Sequence, residues 1–187
     1  MNIGVIIGST RPNRIGKHIT QLFLNTITHQ HNLSFEIIDL KEWQLPLMNE
    51  PGIPSVDDYI HDLTKQWSDK INSKQGFIFI TPQYNWGYPA SLKNALDYLF
   101  KEWKDKPAII VSYAHRGGGK AALQLKQVLQ GLHMKPVDTM PAIYLNDVPD
   151  ETESHQADVD GTKKLHAYID VINRSIIELE NNLLEKK

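Results

Sequence analysis

Short runs of consecutive apolar residues recur along the chain, and between them apolar residues return every three or four positions. The runs are residues 2–8 (NIGVIIG), 35–40 (FEIIDL), 76–81 (GFIFIT), 108–113 (AIIVSY) and, less regularly, 141–145 (PAIYL). β-Branched and aromatic side chains dominate them with little polar alternation, which predicts strands buried on both faces, as in a parallel sheet. Helical spacing fills the intervals. Residues 14–30 place Ile15, Ile19, Leu22, Phe23 and Thr26 on one stripe, and 56–73 place Val56, Ile60, Leu63, Trp67 and Ile71. Residues 90–101 do the same with Leu92, Ala95, Leu96 and Leu99, and 119–132 with Ala122, Leu125, Val128, Leu129 and Leu132. A last helix over 158–184 carries Leu165, Tyr168, Ile169, Ile172, Ile176, Leu179 and Leu183 at the same spacing.

The order is βαβαβαβαβα. Such alternation predicts an α/β sandwich of three layers, a five-stranded parallel sheet with helices on both faces and right-handed crossovers. Five strands fit the flavodoxin-like arrangement better than the six-stranded dinucleotide-binding fold. No repeat, low-complexity segment or linker interrupts the pattern, so a single domain is expected over 1–187. Irregular stretches fall at 41–55 and 146–157. The first, KEWQLPLMNEPGIPS, follows the second strand and is therefore expected at the carboxyl edge of the sheet, where ligands bind in such folds.

Composition narrows the function classes. With 187 residues, 41% hydrophobic and 22% charged, the chain can bury a substantial core. Its formal net charge of −2 argues against nucleic acid or an anionic membrane as the main partner. Cysteine is absent, which removes disulfides, thiolate catalysis and cysteine-ligated metal clusters and fits a reducing compartment. The start, MNIGVIIGSTR, lacks the cationic region and apolar length of a signal peptide, and no stretch approaches the ~20 apolar residues of a membrane span. The expectation is a soluble cytoplasmic protein.

Three segments following strands carry the candidate chemistry. After the first strand comes GSTRPNRIGK (8–17), with Ser9, Thr10, Arg11, Arg14 and Lys17 at the start of a helix. Unpaired N–H groups and a positive dipole there favour an anion, and arginine adds charge-assisted bonds. His18 after Gly16-Lys17 breaks the Walker A pattern, so a single phosphate is expected rather than a nucleoside triphosphate. After the third strand comes TPQYNWGYPASLKNALDYL (81–99), whose aromatic and amide groups suit a flat heteroaromatic ligand. For Trp86 and Tyr88, packing on a neighbouring helix or subunit is an equally open reading. Lys93 and Asn94 are candidates to support this loop. After the fourth strand comes SYAHRGGGKAAL (112–123), where Gly117, Gly118 and Gly119 permit close approach to a ligand. Tyr113, His115 and Arg116 beside them are candidates for its polar edge. No nucleophile, acid–base group or metal set stands out.

These three segments resemble the signatures of the NAD(P)H-dependent FMN reductase family, the flavodoxin-like group of flavin, quinone, azo-dye and chromate reductases. The middle one is the most specific: Pro82, Gln83, Tyr84, Asn85, Pro89, Leu92, Lys93, Asn94, Ala95, Leu96 and Asp97 match its pattern. The chain departs from the family at Gln83, where glutamate is frequent, at Trp86, where a small residue is frequent, and at Ala114, where glycine is frequent.

The resemblance implies an FMN site. Ser9, Arg11, Arg14, Ile15 and Gly16 would bind the phosphate. Pro82, Gln83, Tyr84, Asn85 and Trp86 would line the isoalloxazine. Ser112, His115, Gly117, Gly118 and Gly119 would lie near its pyrimidine end. It also implies NADPH or NADH as co-substrate, ping-pong hydride transfer through flavin N5, and loose specificity for small electron acceptors. No protein side chain would be the catalyst, because the cofactor carries the chemistry. A homodimer or homotetramer is implied as well, with Trp86, Tyr88, Tyr98, Phe100 and Trp103 as candidate contact aromatics, ordinary helix packing being the other reading of them. Two other readings stay open: a non-catalytic flavodoxin-type electron carrier, and a flavin-free binding protein on the same fold.

Overall fold

A computed structural model describes residues 1–28, 32–148 and 161–185. The ends of the expected 14–30 and 158–184 helices, and most of the 146–157 loop, lie outside the described residues. Strand β1 (Asn2–Ile7) leads into helix α1 (Gly16–Asn25), and β2 (Ser34–Asp39) runs directly into a one-turn helix, α2 (Leu40–Trp43). There follow α3 (Asp62–Asn72), β3 (Gly76–Pro82), α4 (Ala90–Asp97), β4 (Pro107–Ala114) and α5 (Gly119–Gly131). The chain continues through β5 (Lys135–Pro136), β6 (Ala142–Tyr144), a 3-10 turn at Leu145–Asp147 and helix α6 (Gly161–Leu184).

The sheet is parallel throughout, in the order β2-β1-β3-β4-β5, with β6 also paired to β4. Alternation along the strands divides the core. Phe77 and Phe79 of β3 face α3, α4 and α5, packing with Trp67, Leu96, Trp103 and Leu125. Ile78 and Ile80 face α1 and α6, packing with Ile19, Phe23, Ile172 and Ile176. The three-layer α/β expectation therefore holds.

The fifth strand position differs from expectation. It is filled by two pieces: β5 beside Pro107 and Ala108, and β6 beside Ser112 to Ala114. Pro136 and Pro141 cannot donate to a ladder. Between them the chain turns aside, and the Thr139 N–H donates to the Glu178 carboxylate at 2.9 Å instead.

Helix α3 also starts later than expected. Val56 and Ile60, placed on its apolar stripe by spacing, are 71% and 62% exposed. The buried Glu50 carboxylate accepts the N–H groups of Ile60 and His61 at 3.0 Å each, fixing the entry at His61. Tyr98 and Trp103, expected as contact aromatics between subunits, are instead buried within the chain. The Trp103 indole donates to the Leu96 carbonyl at 3.2 Å and its ring packs edge-on against Phe77. Their area is satisfied by packing under α4.

Candidate functional site

The segment after β1 enters the site as an extension of the sheet. Gly8 N–H donates to the Ile80 carbonyl at 2.9 Å, and the Ser91 hydroxyl donates to the Gly8 carbonyl at 2.6 Å. Ser9 is fully buried, with its hydroxyl 2.7 Å from the Tyr84 hydroxyl. Arg11 is exposed, and its guanidinium lies 5.4 Å from the Tyr84 ring centroid. These contacts join the first two predicted segments.

Arg14 turns the other way. Its guanidinium is 7% exposed and pairs with the carboxylate of Asp39, at the carboxyl end of β2. Lys17 joins from the next turn at 3.4 Å, while reaching Glu42 at 3.0 Å. The Glu42 and Asp39 carboxylates together hold its ammonium above the usual lysine range. The Arg14 Nε stays buried with no hydrogen-bond partner.

Helix α1 begins beside this group with Ile15 at its cap position and no side-chain cap, so its first turn keeps donors for another acceptor. Gly16 is required for that placement. A Cβ there would come within 2.7 Å of Ile7 Cγ2.

The segment after β3 is a tight hairpin. Tyr84 and Gly87 exchange two backbone hydrogen bonds, at 2.8 and 2.9 Å. Asn85 and Trp86 between them have φ of 47° and 72°. Paired left-handed residues define a type I′ turn, which asparagine tolerates and tryptophan resists. Gln83 ties the hairpin to its neighbours: its N–H donates to Tyr113 O at 3.2 Å and its Oε1 accepts from Ala121 N–H at 3.3 Å. That second bond satisfies an N–H in the first turn of α5. Pro82 is buried at the strand end, Tyr84 and Tyr88 are half-buried, and Asn85 and Trp86 are exposed.

In the segment after β4, the fully buried Ser112 hydroxyl donates to the Gly117 carbonyl at 2.7 Å. Gly117 and Gly118 have φ of 73° and 82°, and a Cβ on Gly118 would sit 3.1 Å from that of Ser112. These two glycines are thus needed by the turn itself. Gly119 is different: nothing lies within 4 Å of the Cβ it lacks. His115 and Arg116 are exposed. Tyr113, a candidate for a ligand's polar edge, is instead 4% exposed, with its hydroxyl 3.3 Å from where a Gly16 Cβ would stand. Burial pushes its phenol upward.

The three predicted segments therefore meet at one edge, while Arg14 is drawn toward β2. Asp39 escaped the sequence reading, although a carboxylate closing an apolar strand at the carboxyl edge was a usable signal. Asn94, a candidate to support the hairpin loop, instead holds the segment after β2: it accepts from Met48 N–H at 2.8 Å and donates to the Pro46 carbonyl at 2.6 Å. Lys93 pairs with Asp97 one turn along α4. The donor set fits a flavin mononucleotide: an orphaned buried guanidinium N–H beside an uncapped helix for a phosphate, and an amide-rich edge with open space at Gly119 for a ring.

Residues 1–144 match the profile of a family described as NADPH-dependent FMN reductase. An NAD(P)H-dependent FMN reductase of Schizosaccharomyces pombe is 46% identical over 143 residues, covering 75% of this chain and 72% of that protein. A quinone reductase of Pseudomonas putida is 28% identical over 151 residues, covering 77% of each. Among solved structures, an oxidoreductase of Corynebacterium diphtheriae superposes with a TM-score of 0.72 at 18% identity, over 100% of this chain and 98% of that one. That likeness speaks to the fold alone; the S. pombe enzyme and the matched profile speak to descent. With the first strand, the hairpin and the glycine turn all inside the matched residues, this chain belongs to the NADPH-dependent FMN reductase family.

Proposed function

We propose that the chain is an FMN-dependent oxidoreductase that moves two electrons from NADH or NADPH to a small acceptor such as a flavin, quinone or azo compound. The observation that carries this reading is Arg14: a guanidinium 7% exposed, matched on one side by Asp39, with a buried Nε unmatched beside an uncapped helix. An unpaired donor in such surroundings calls for an anionic acceptor.

In this reading Ser9, Arg11, Arg14, Ile15 and Gly16 hold the FMN phosphate. Pro82, Gln83, Tyr84, Asn85 and Trp86 border the ring, and Ser112, His115, Gly117, Gly118 and Gly119 border its pyrimidine end. Bound there, FMN would supply the redox chemistry, two-electron transfer from nicotinamide to acceptor in ping-pong half-reactions. The chain's own work is positioning. Ser9 and Tyr84 fix the phosphate segment to the hairpin, and Gln83 fixes the hairpin to α5.

The proposal extends to a cytoplasmic homodimer or homotetramer. A cysteine-free chain supports the compartment. No helix among the described residues is long and apolar enough to cross a membrane.

The test is a steady-state panel of FMN, quinones, azo dyes and metal oxyanions with both nicotinamides, after titration of the protein with FMN. Saturable FMN binding and parallel double-reciprocal plots are expected. A protein that binds FMN but turns over no acceptor would be an electron carrier; one that binds no FMN would overturn the reading.

A further inference from the structure

Asp39 closes β2 at the carboxyl edge and stands in register with Ile7, the last residue of β1. Register partners share a face of the sheet, and the Ile7 side chain faces the start of α1. Asp39 therefore lies on the α1 side, outside the three segments from which the cofactor residues come. Both of its carboxylate oxygens are in use. Oδ1 accepts the Lys41 N–H at 3.0 Å and caps α2. Oδ2 holds Arg14 Nη2 and meets Lys17 Nζ at 3.4 Å. Fixed from α2 on one side, the carboxylate fixes the guanidinium on the other. The arginine fork is planar and rigid, so holding one edge sets the direction of the rest. With Nη2 committed to Asp39, Nε is the buried donor left without a partner.

Stability alone does not account for this arrangement. A buried ion pair is often matched by apolar side chains of the same size, and an unmatched buried N–H weakens it further. Attraction for the ligand does not account for it either. A carboxylate this near a phosphate site repels the anion and offsets the arginine that attracts it. What Asp39 supplies is direction.

We propose that Asp39 is a positioning residue for the cofactor phosphate: by holding one edge of the Arg14 fork, it aims the Nε edge at an anion beside the first turn of α1. The inference rests on the FMN reading of that segment. A flavin senses Asp39 only if it carries the phosphate, and only through Arg14. Riboflavin, with a ring and no phosphate, is indifferent to it.

FMN and riboflavin are titrated by flavin fluorescence into the parent, Asp39→Asn, Arg14→Met, the double variant and Arg14→Lys. Circular dichroism checks that each is folded at the temperature used. Asparagine keeps an oxygen for the Lys41 N–H and loses the charge that grips the fork. Asp39→Asn is expected to weaken FMN binding about tenfold and leave riboflavin unchanged. In the Arg14→Met background the same change is expected to leave FMN binding alone, because no fork remains to aim. Arg14→Lys keeps an ion pair with Asp39, and so keeps the fold even if Asp39→Asn does not. Its ammonium lacks the second edge, so it should lose FMN affinity nearly as far as Arg14→Met.

Unchanged or tighter FMN binding in Asp39→Asn would make the carboxylate neutral or repulsive toward the phosphate. A loss that persists in the Arg14→Met background would mean that Asp39 acts without Arg14. Equal losses for FMN and riboflavin would leave it a structural role only. Arg14→Lys with the parent's preference for FMN would mean that charge, not direction, holds the phosphate. Each of these results overturns the positioning role and leaves the FMN reading intact. A parent that binds neither flavin overturns both.

Discussion

The Asp39 carboxylate, 2% exposed, faces a guanidinium that is itself 7% exposed. Removing one member of such a buried pair strands the other charge and costs about 3–5 kcal/mol. Asp39→Asn is therefore expected to lower the melting temperature by roughly 10 °C, followed by circular dichroism. A melt within a degree of the parent would show that the pair contributes nothing. Arg11 stands in the opposite situation, exposed and resting on the Tyr84 ring. Arg11→Ala is expected to weaken FMN binding about tenfold, the scale of one charge-assisted hydrogen bond. Riboflavin, lacking the phosphate, should bind parent and variant alike in a fluorescence titration. Equal loss for both flavins would remove Arg11 from the phosphate site. The two arginines were indistinguishable in GSTRPNRIGK. What separates them is the end of β2, 25 residues away and visible only once the strands are side by side.

Between elements, Glu36 ties edge strand β2 to Lys70 of α3 and to Lys74 beyond it. Hydrogen bonds from Lys70 and then Lys74 lower its carboxyl from 4.5 to about 2. A carboxyl depressed by folding adds stability above its unfolded value and loses it as pH falls through the folded one. The parent should therefore lose more stability between about pH 4.5 and pH 2 than Glu36→Gln does. The difference will be small, because the Glu36 side chain is 40% exposed and solvent screens the pair. Coincident acid-unfolding curves for the two proteins would show that the tether is not formed in solution.

The glycine turn ahead of α5 offers a sharper contrast. Gly118→Ala meets both a φ of 82° and the Ser112 side chain, so a loss of about 1–2 kcal/mol is expected from denaturant unfolding. Gly119→Ala meets nothing and should hold or gain stability by up to about 1 kcal/mol. If the flavin ring occupies that open space, the same Gly119→Ala change weakens FMN binding. A variant that gains stability and keeps full affinity would move the ring elsewhere.

For the whole molecule, a cofactor that binds only the folded chain raises its stability by about 2.7 kcal/mol at a hundredfold excess over Kd. That corresponds to a rise of roughly 5–10 °C in melting temperature for a chain of this size. FMN is expected to produce it in a thermal scan, and riboflavin markedly less. Equal shifts would place the binding energy in the ring rather than the phosphate. The three layers were legible from sequence because long apolar runs alternating with helical spacing admit few arrangements. The meeting of the three segments at one edge followed, since segments after parallel strands emerge together at the carboxyl edge. The late start of α3 was not legible, because Glu50 competes for the N–H groups of Ile60 and His61 from outside the helical window. Nor was the burial of Tyr98 and Trp103, which depends on what lies beneath α4.

The divided fifth strand has a further consequence. An intact edge strand is a template on which a second chain can lay its own backbone, and from which fibrils grow. Beyond β4 that template is broken into pieces of two and three residues, with a proline in one and a second proline just ahead of the other. On this side the protein is guarded against runaway stacking, and an orderly partnership there has to be made through side chains rather than by prolonging the sheet.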